Sequence, residues 1–206
     1  MNIIDLAIKG GWLMGVLFAL SLIAVALFIE RWLTTKKAEK VEEKTFIDVI
    51  RAIDQERIDD ATNICKLSES HICKILEQGL NYGKDDVNLA TETIDQSANQ
   101  FVRSLEKNLN TLSTLAAIAP LIGFLGTVTG MIKTFYELHV SAGGVVDINI
   151  LSGGIYEALV TTVGGLIVGI ICIVFYNYLL SRIEAIAFVV EAKINQVNAH
   201  LRRIPK

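Results

Sequence analysis

The sequence predicts an all-α membrane protein with three transmembrane helices. Of its 206 residues, 52% are hydrophobic and the mean hydropathy is +0.47, yet 20% are charged. A hydropathy this positive beside so many charges indicates that very apolar segments are separated from very polar ones. Three apolar runs are each near the length of about 20 residues that crosses a bilayer, and they occupy positions 12–29, 112–132 and 155–180.

We interpret the first run as a retained helix. The alternative is a secretory signal, which would end at a cleavage site of small residues. Glu30 and Arg31 follow the run instead. The first and second runs contain no charged residue, and the third contains one acid, Glu157, near its start. Because backbone polar groups in lipid must be satisfied within the segment, we expect all three runs to be helical.

The distribution of Lys and Arg predicts the orientation. Residues 34–110 contain 11 Lys or Arg beside 15 Asp or Glu, whereas residues 137–152 contain no Lys or Arg. Cytoplasmic segments carry the excess of Lys and Arg, so we expect the N-terminus outside and the C-terminus in the cytoplasm. Residues 89–110 lack Gly and Pro, and residues 182–203 carry apolar side chains at helical spacing, so helices 2 and 3 are expected to extend into the cytoplasm.

These inferences divide the chain into six parts. They are, in order, an outside N-terminus with helix 1, a cytoplasmic helical domain, helix 2, an outside loop, helix 3 and a cytoplasmic C-terminal helix. Their expected bounds are 1–33, 34–110, 111–136, 137–152, 153–181 and 182–206.

Composition and motifs argue against several classes of function. A net charge of −3 is not that of a nucleic-acid-binding protein, which carries a basic surface. The chain has no nucleotide-binding loop and no constellation of nucleophile or metal ligands, so we expect neither an enzyme nor a cofactor. Cys65, His71 and Cys73 match no common zinc spacing, and we favour packing over metal binding there.

Helices 2 and 3 each carry a line of small residues. The steps along each line are three or four residues, which places the members on one helical face. Small residues let helices pack closely in lipid, and for the glycines alone we favour that interpretation. The alternative is that these faces leave room for water, an ion or a foreign helix. The members singled out as pore-face packing residues are Pro120, Gly123, Gly130, Gly165 and Gly169.

Four polar residues are candidates for a proton pathway: Thr127, Glu157, Thr161 and Thr162. A threonine in a membrane helix commonly bonds a carbonyl of its own helix, which needs no function. Thr127 and Thr162 also lie on the lines of small residues, so we weigh both interpretations equally. An acid within the membrane indicates function by default. Glu157 precedes Thr162 by five residues, about 140° around the helix, so both cannot point into one narrow pore, and Thr161 shares the side of Glu157 more nearly.

Two segments carry a resemblance to a known family: AIAPLIGFLGTVTGMIKTF at 117–135 and IYEALVTTVGGLIVGI at 155–170. They resemble the MotA/TolQ/ExbB proton-channel family, and the ExbB and TolQ branch more than MotA, whose chains are longer and have a fourth membrane helix. The order of the spans and the IER sequence at 29–31 fit as well, so the resemblance covers nearly the whole chain. Many relatives have a proline before the helix 3 motif, where this chain has Ser152, Gly153 and Gly154.

The resemblance implies a bacterial inner-membrane protein that forms a pentameric ring around a dimer of single-span ExbD- or TolR-like partners. It implies that the proton-motive force drives work on a TonB- or TolA-like protein, as in TonB-dependent transport. Thr127 and Thr162 match the channel threonines of the family, and Glu157 matches its helix 3 glutamate. The protonated aspartate of the family lies in the partner, which agrees with the lack of any other titratable group deep in these helices.

Two alternatives from other classes are a non-conducting membrane scaffold that anchors a partner and a small metabolite transporter. The scaffold has no need of the threonines, which this chain retains. The transporter predicts broken helices or inverted repeats, which the sequence lacks.

Overall fold

A computed structural model describes residues 11–39, 42–83, 86–140 and 148–203, and within these ranges the chain is helical without strands. The all-α prediction is therefore confirmed. The helices are α1 Gly11–Ala38, α2 Glu43–Asp54, α3 Ile58–Leu67, α4 His71–Leu80, α5 Val87–Leu105, α6 Leu109–Val140 and α7 Ile148–Leu201.

Three helical segments are long and apolar enough to cross a membrane: Gly11–Ala38, Val87–Val140 and Leu151–Leu201. They contain the three predicted spans, which are thereby confirmed. Many large apolar side chains on them are exposed in the single chain, among them Phe124 and Ile132. A surface of that kind needs lipid or another protein chain to cover it.

The chain divides into two compact units. The first unit consists of Met1–Glu30 and Asn108–Tyr178, and the second of Arg31–Lys107 and Leu179–Lys206. The first contains the apolar parts of α1, α6 and α7. The second contains α2 to α5 and the polar end of α7.

In the first unit α1 runs along α7 in the same direction. Near its start, Met14 and Leu17 contact Gly164 of α7. Further along, the ring of Phe28 stacks on that of Phe175, with centroids 4.1 Å apart and an interplanar angle of 16°. Residue numbers rise together in both helices, so α1 and α7 are parallel.

In the second unit short amphipathic helices bury the apolar residues that recur at helical spacing. Asp86 starts α5, because its carboxylate accepts hydrogen bonds from the backbone N–H groups of Asn88 and Leu89, at 2.8 and 3.2 Å. That is the N-cap arrangement expected of an aspartate. Fully or almost fully buried members of this core are Val49, Ile53, Cys65, Leu76, Leu80 and Ile94.

In the second unit the polar end of α7 forms hydrogen bonds and ion pairs with acidic side chains. Its basic and amide groups meet acidic residues of α2, α5 and the segment after α1. The pairs are Arg182 with Glu39 at 2.7 Å, Lys193 with Glu43 at 2.6 Å, Asn198 with Asp95 at 2.9 Å, and His200 with Asp54.

The predicted continuation of helix 2 through residues 89–110 is interrupted. α5 ends at Leu105 and α6 begins at Leu109, and Asn108 between them has φ +67°. A left-handed residue breaks the helical hydrogen-bond ladder, and asparagine adopts that conformation more readily than most residues. In the last turn of α5, the carbonyl of Ser104 accepts a hydrogen bond from Nη1 of Arg31 at 3.2 Å. This bond satisfies one of the carbonyls that a helix end leaves unpaired.

The predicted continuation of helix 3 is confirmed, because α7 is one helix from Ile148 to Leu201. In the segment 137–152, where an outside loop is expected, the described residues are helical, because α6 extends through Val140 and α7 begins at Ile148. Of the two segments expected on the outer side of the membrane, residues 1–10 and 141–147 are not among the described residues. The orientation and the division into outside and cytoplasmic parts stay predictions.

The three residues considered for metal binding have packing roles in the second unit. Cys65 and Cys73 are buried, and the His71 ring stacks on Phe101 with centroids 5.1 Å apart. Burial lowers the pKa of His71, and the nearby Lys74 lowers it further. Within the described ranges no group of three His, Cys, Asp or Glu side chains could hold a metal ion.

Candidate functional site

α6 and α7 are antiparallel and approach each other through residues without bulky side chains. A Cβ atom added to Gly123 would lie 3.0 Å from Cα of Gly165, and one added to Gly130 would lie 3.2 Å from Cβ of Ala158. One added to Gly169 would lie 2.6 Å from Cγ of Pro120. Such distances leave no room for larger side chains, so the small residues set the spacing of the two helices.

The residues singled out for the pore face thus lie in the contact between α6 and α7 of one chain. Gly123, Gly165 and Gly169 are buried there, and Gly130 and Pro120 lie at the same contact. This placement gives them the helix-packing role that was favoured for the glycines. Their pore-facing role stays a prediction.

The three candidate threonines form different hydrogen bonds. Thr161 donates to the carbonyl of Glu157 at 2.9 Å and Thr127 to that of Phe124 at 2.6 Å, both within their own helices. Thr162 instead donates across the contact to the carbonyl of Gly123 in α6, at 2.9 Å. The local bond considered for all three is therefore found for Thr127 and Thr161, while Thr162 joins α7 to α6.

On one side of the contact lies an apolar groove of about 700 Å³, which we call the Thr127 groove. Among its lining residues, all within the described ranges, Thr127 is the only one with a hydroxyl group. Thr162 is one helical turn beyond Ala158, which lines the groove. The complete lining is Thr127, Val128, Met131, Ile132, Phe135, Ile155, Ala158 and Leu159.

On the other side of the contact lies a smaller recess of about 140 Å³, which we call the Glu157 recess. Its polar lining residues are Glu157 and Thr161 of α7 and Thr129 and Lys133 of α6. The start of α1, residues 11–13, forms the remaining wall, and the Glu157 carboxylate lies against Gly11. The groove and the recess share no lining residue.

The four predicted pathway residues are therefore not brought together at one place. Thr127 lines the groove, Glu157 and Thr161 line the recess, and Thr162 lines neither of them. This division follows from the 3.6-residue period, which already separates Glu157 from Thr162 by about 140°. Sequence reasoning missed Thr129 and Lys133, although their four-residue spacing on α6 places them on one face.

The geometry gives the groove a defined hydrogen-bonding character. The hydroxyl protons of Thr127 and Thr162 are both donated to carbonyl groups. A hydroxyl has one proton to donate and two lone pairs that accept. Thr127 thus presents acceptor lone pairs beside the apolar surface of the groove, which suits a donor such as water or a protonated carboxylic acid.

The sequence profile described as the MotA/TolQ/ExbB proton channel family matches residues 67–192, more than half of the chain. The matched range includes all of α6 and most of α7. The chain belongs to the MotA/TolQ/ExbB proton channel family. Its relatives named ExbB and TolQ place it in the ExbB/TolQ branch of that family.

Two relatives cover most of the chain. "Putative biopolymer transport protein ExbB-like 1" of Synechocystis sp. is 28% identical over 185 residues, 87% of this chain and 71% of the relative. "Putative biopolymer transport protein ExbB-like 3" of the same organism is 29% identical over 201 residues, 94% of this chain and 92% of the relative. The "Tol-Pal system protein TolQ" of Haemophilus influenzae is 36% identical over 88 residues, 43% of this chain and 38% of the relative.

Family membership and the three apolar helices together identify a multi-pass protein of the inner membrane, related to proton channels and transport. The family is one of membrane channel proteins and not a known family of enzymes.

Proposed function

We propose that the chain is the ring-forming subunit of an inner-membrane motor driven by the proton-motive force. Five copies surround a dimer of single-span partners of the ExbD or TolR type. Protons that cross this complex drive work on a TonB- or TolA-like protein. The N-terminus lies outside and the C-terminus in the cytoplasm, which the Lys and Arg distribution supports.

The Thr127 groove is the observation that carries this proposal. A groove of about 700 Å³ in the membrane unit, lined by apolar side chains, can accept the apolar side chains of a partner helix. The chain's own helices supply hydroxyl groups there but no acid. An aspartate on the partner helix, in its protonated form, would donate its hydrogen bond to Thr127 or Thr162.

The threonines would assist proton transfer by lowering the free-energy cost of placing the partner's protonated aspartate in the membrane. A protonated carboxyl without a partner in an apolar setting costs about 1–3 kcal/mol on protein scales. A threonine lone pair offsets part of that cost. When the aspartate loses its proton the hydrogen bond is lost, so the two protonation states favour different positions of the partner helix.

The test is proton flux in the complex purified with its native partner and reconstituted into vesicles. We expect Thr127→Val and Thr162→Val to lower proton uptake, read with an internal pH dye, while the subunit ratio of the complex is unchanged. Thr114→Val is the matched control, because Thr114 also bonds a carbonyl of α6, that of Asn110 at 2.8 Å. Wild-type flux in both groove variants would contradict the proposal.

The second candidate function is a non-conducting scaffold that anchors a partner. The same apolar groove favours it, since a groove can hold a helix without passing protons. It predicts that the wild-type complex assembles but takes up no protons above the level of empty vesicles.

A further inference from the structure

We propose that the Glu157 recess is the water-filled outer access of the proton path, and that it lies inside each subunit and not along the axis of the ring. This inference rests on the proposed function and adds the place where the proton first meets the protein. The polar lining of this access includes Thr129 and Lys133 of α6 as well as Glu157 of α7.

The lining of the recess indicates water as its occupant. Carboxylate, ammonium and hydroxyl groups converge there from α6 and α7. Its volume of about 140 Å³ holds several water molecules, since each takes roughly 30 Å³ in the liquid. A polar cavity with two or more partners per water is the kind that stays hydrated.

The walls of the recess separate it from the Thr127 groove. Gly126 and Gly130 lie at the α6–α7 contact, and Thr161 fills the space beside Gly126 with a side chain only 2% exposed. The start of α1 covers the opposite side, through Gly11 and Leu13. Each subunit thus has a polar recess of its own, whether or not a partner helix occupies the groove.

The chemistry of the step is a proton exchange. A hydronium ion in the recess transfers its proton to the Glu157 carboxylate, which becomes the neutral acid, and a water molecule remains. Lys133 forms an ion pair with Glu137 at 3.9 Å at the outer end of α6. Lys133 also lines the recess together with Glu157.

The experiment is cysteine accessibility in spheroplasts, in a variant whose three native cysteines are replaced and which retains proton flux. A membrane-impermeant cationic thiosulfonate is added from outside to Thr129→Cys. Val128→Cys is the matched control, because it lies one residue away and lines the apolar groove. We expect Thr129→Cys to react at least about tenfold faster, since a hydrated cysteine ionises to the thiolate, which attacks the thiosulfonate and displaces sulfinate.

Charge selectivity gives a second readout. The ratio of cationic to anionic reagent rates at Thr129→Cys should fall several-fold when Glu157→Gln is added, because the carboxylate that attracts cations is removed. Equal rates at positions 128 and 129, reaction only in inverted vesicles, or no reaction would each overturn the inference. None of these results bears on whether the complex conducts protons, which the flux of the threonine variants decides separately.

Discussion

The α6–α7 contact predicts a sharp difference between two glycine-to-alanine substitutions. In Gly165→Ala the new Cβ would lie 2.6 Å from the carbonyl oxygen of Ala119 and 2.7 Å from Cα of Gly123. Gly15→Ala in α1 is the matched control, because its added Cβ has no atom within 4 Å beyond the neighbouring residues and backbone of its own helix. Both positions are in helix interiors, where alanine is otherwise preferred to glycine by roughly 0.5–1 kcal/mol.

The loss of stability in Gly165→Ala follows from the distance by which the two helices must separate. Ordinary contacts of a Cβ atom begin near 3.4 Å, so α7 must move away from α6 by about 0.7 Å. Overpacking of this kind costs about 1–3 kcal/mol. The movement also stretches the bond from Thr162 to the carbonyl of Gly123, now 2.9 Å, beyond the usual range.

The assay is thermal unfolding of the purified complex in detergent, followed by circular dichroism. We expect Gly165→Ala to lower the midpoint and Gly15→Ala to leave it unchanged or raise it. If Gly165→Ala is as stable as Gly15→Ala, the close approach of α6 and α7 is refuted.

Three further predictions concern single side chains. Thr162→Val removes the hydrogen bond between α7 and α6 and should lower the free energy of unfolding by about 1 kcal/mol. Thr127→Val removes only a hydrogen bond within its own helix and should lower it by less. Equal losses would contradict the hydrogen bond from Thr162 to α6. The pKa of His71 is lowered in the folded chain, so on acidification the unfolded chain binds a proton at this histidine before the folded chain does. The free energy of unfolding should therefore fall as the pH drops below the unfolded pKa of about 6.5 and level off below the folded pKa. His71→Leu should reduce this dependence between about pH 7.5 and 5.5, and an unchanged dependence of the free energy of unfolding on pH would refute the prediction. Lys193 is mostly buried beside Glu43 at 2.6 Å, so a double-mutant cycle to alanine should give a coupling of about 0.5–1 kcal/mol, and a coupling near zero would contradict the pair.

Periodicity and hydropathy predicted the features that depend on one helix at a time. The three apolar runs correspond to segments able to span a membrane, and residues 182–203 continue helix 3 as α7 through Leu201. The angular separation of Glu157 and Thr162 follows from the helical period, and in the structure Glu157 lines the recess whereas Thr162 does not.

Features that depend on packing between helices could not be predicted in this way. Residues 106–108 contain no Gly or Pro, and the local signal for the break is Asn108, whose residue type permits the left-handed backbone but does not require it. The acceptor for Thr162 is a carbonyl 39 positions away, and only the register of α6 against α7 selects it. Thr129 and Lys133 acquire a common neighbour in Glu157 only when the helices pack.

The central claim is that the Thr127 groove, and not the Glu157 recess, receives the partner helix. Oxidative cross-linking tests it most directly, with one cysteine beside the membrane aspartate of the single-span partner. The other cysteine is introduced as Thr127→Cys or Thr129→Cys in chains whose native cysteines are replaced. We expect a disulfide-linked heterodimer with Thr127→Cys and none with Thr129→Cys, and the reverse pattern would show that the partner helix does not lie in the Thr127 groove.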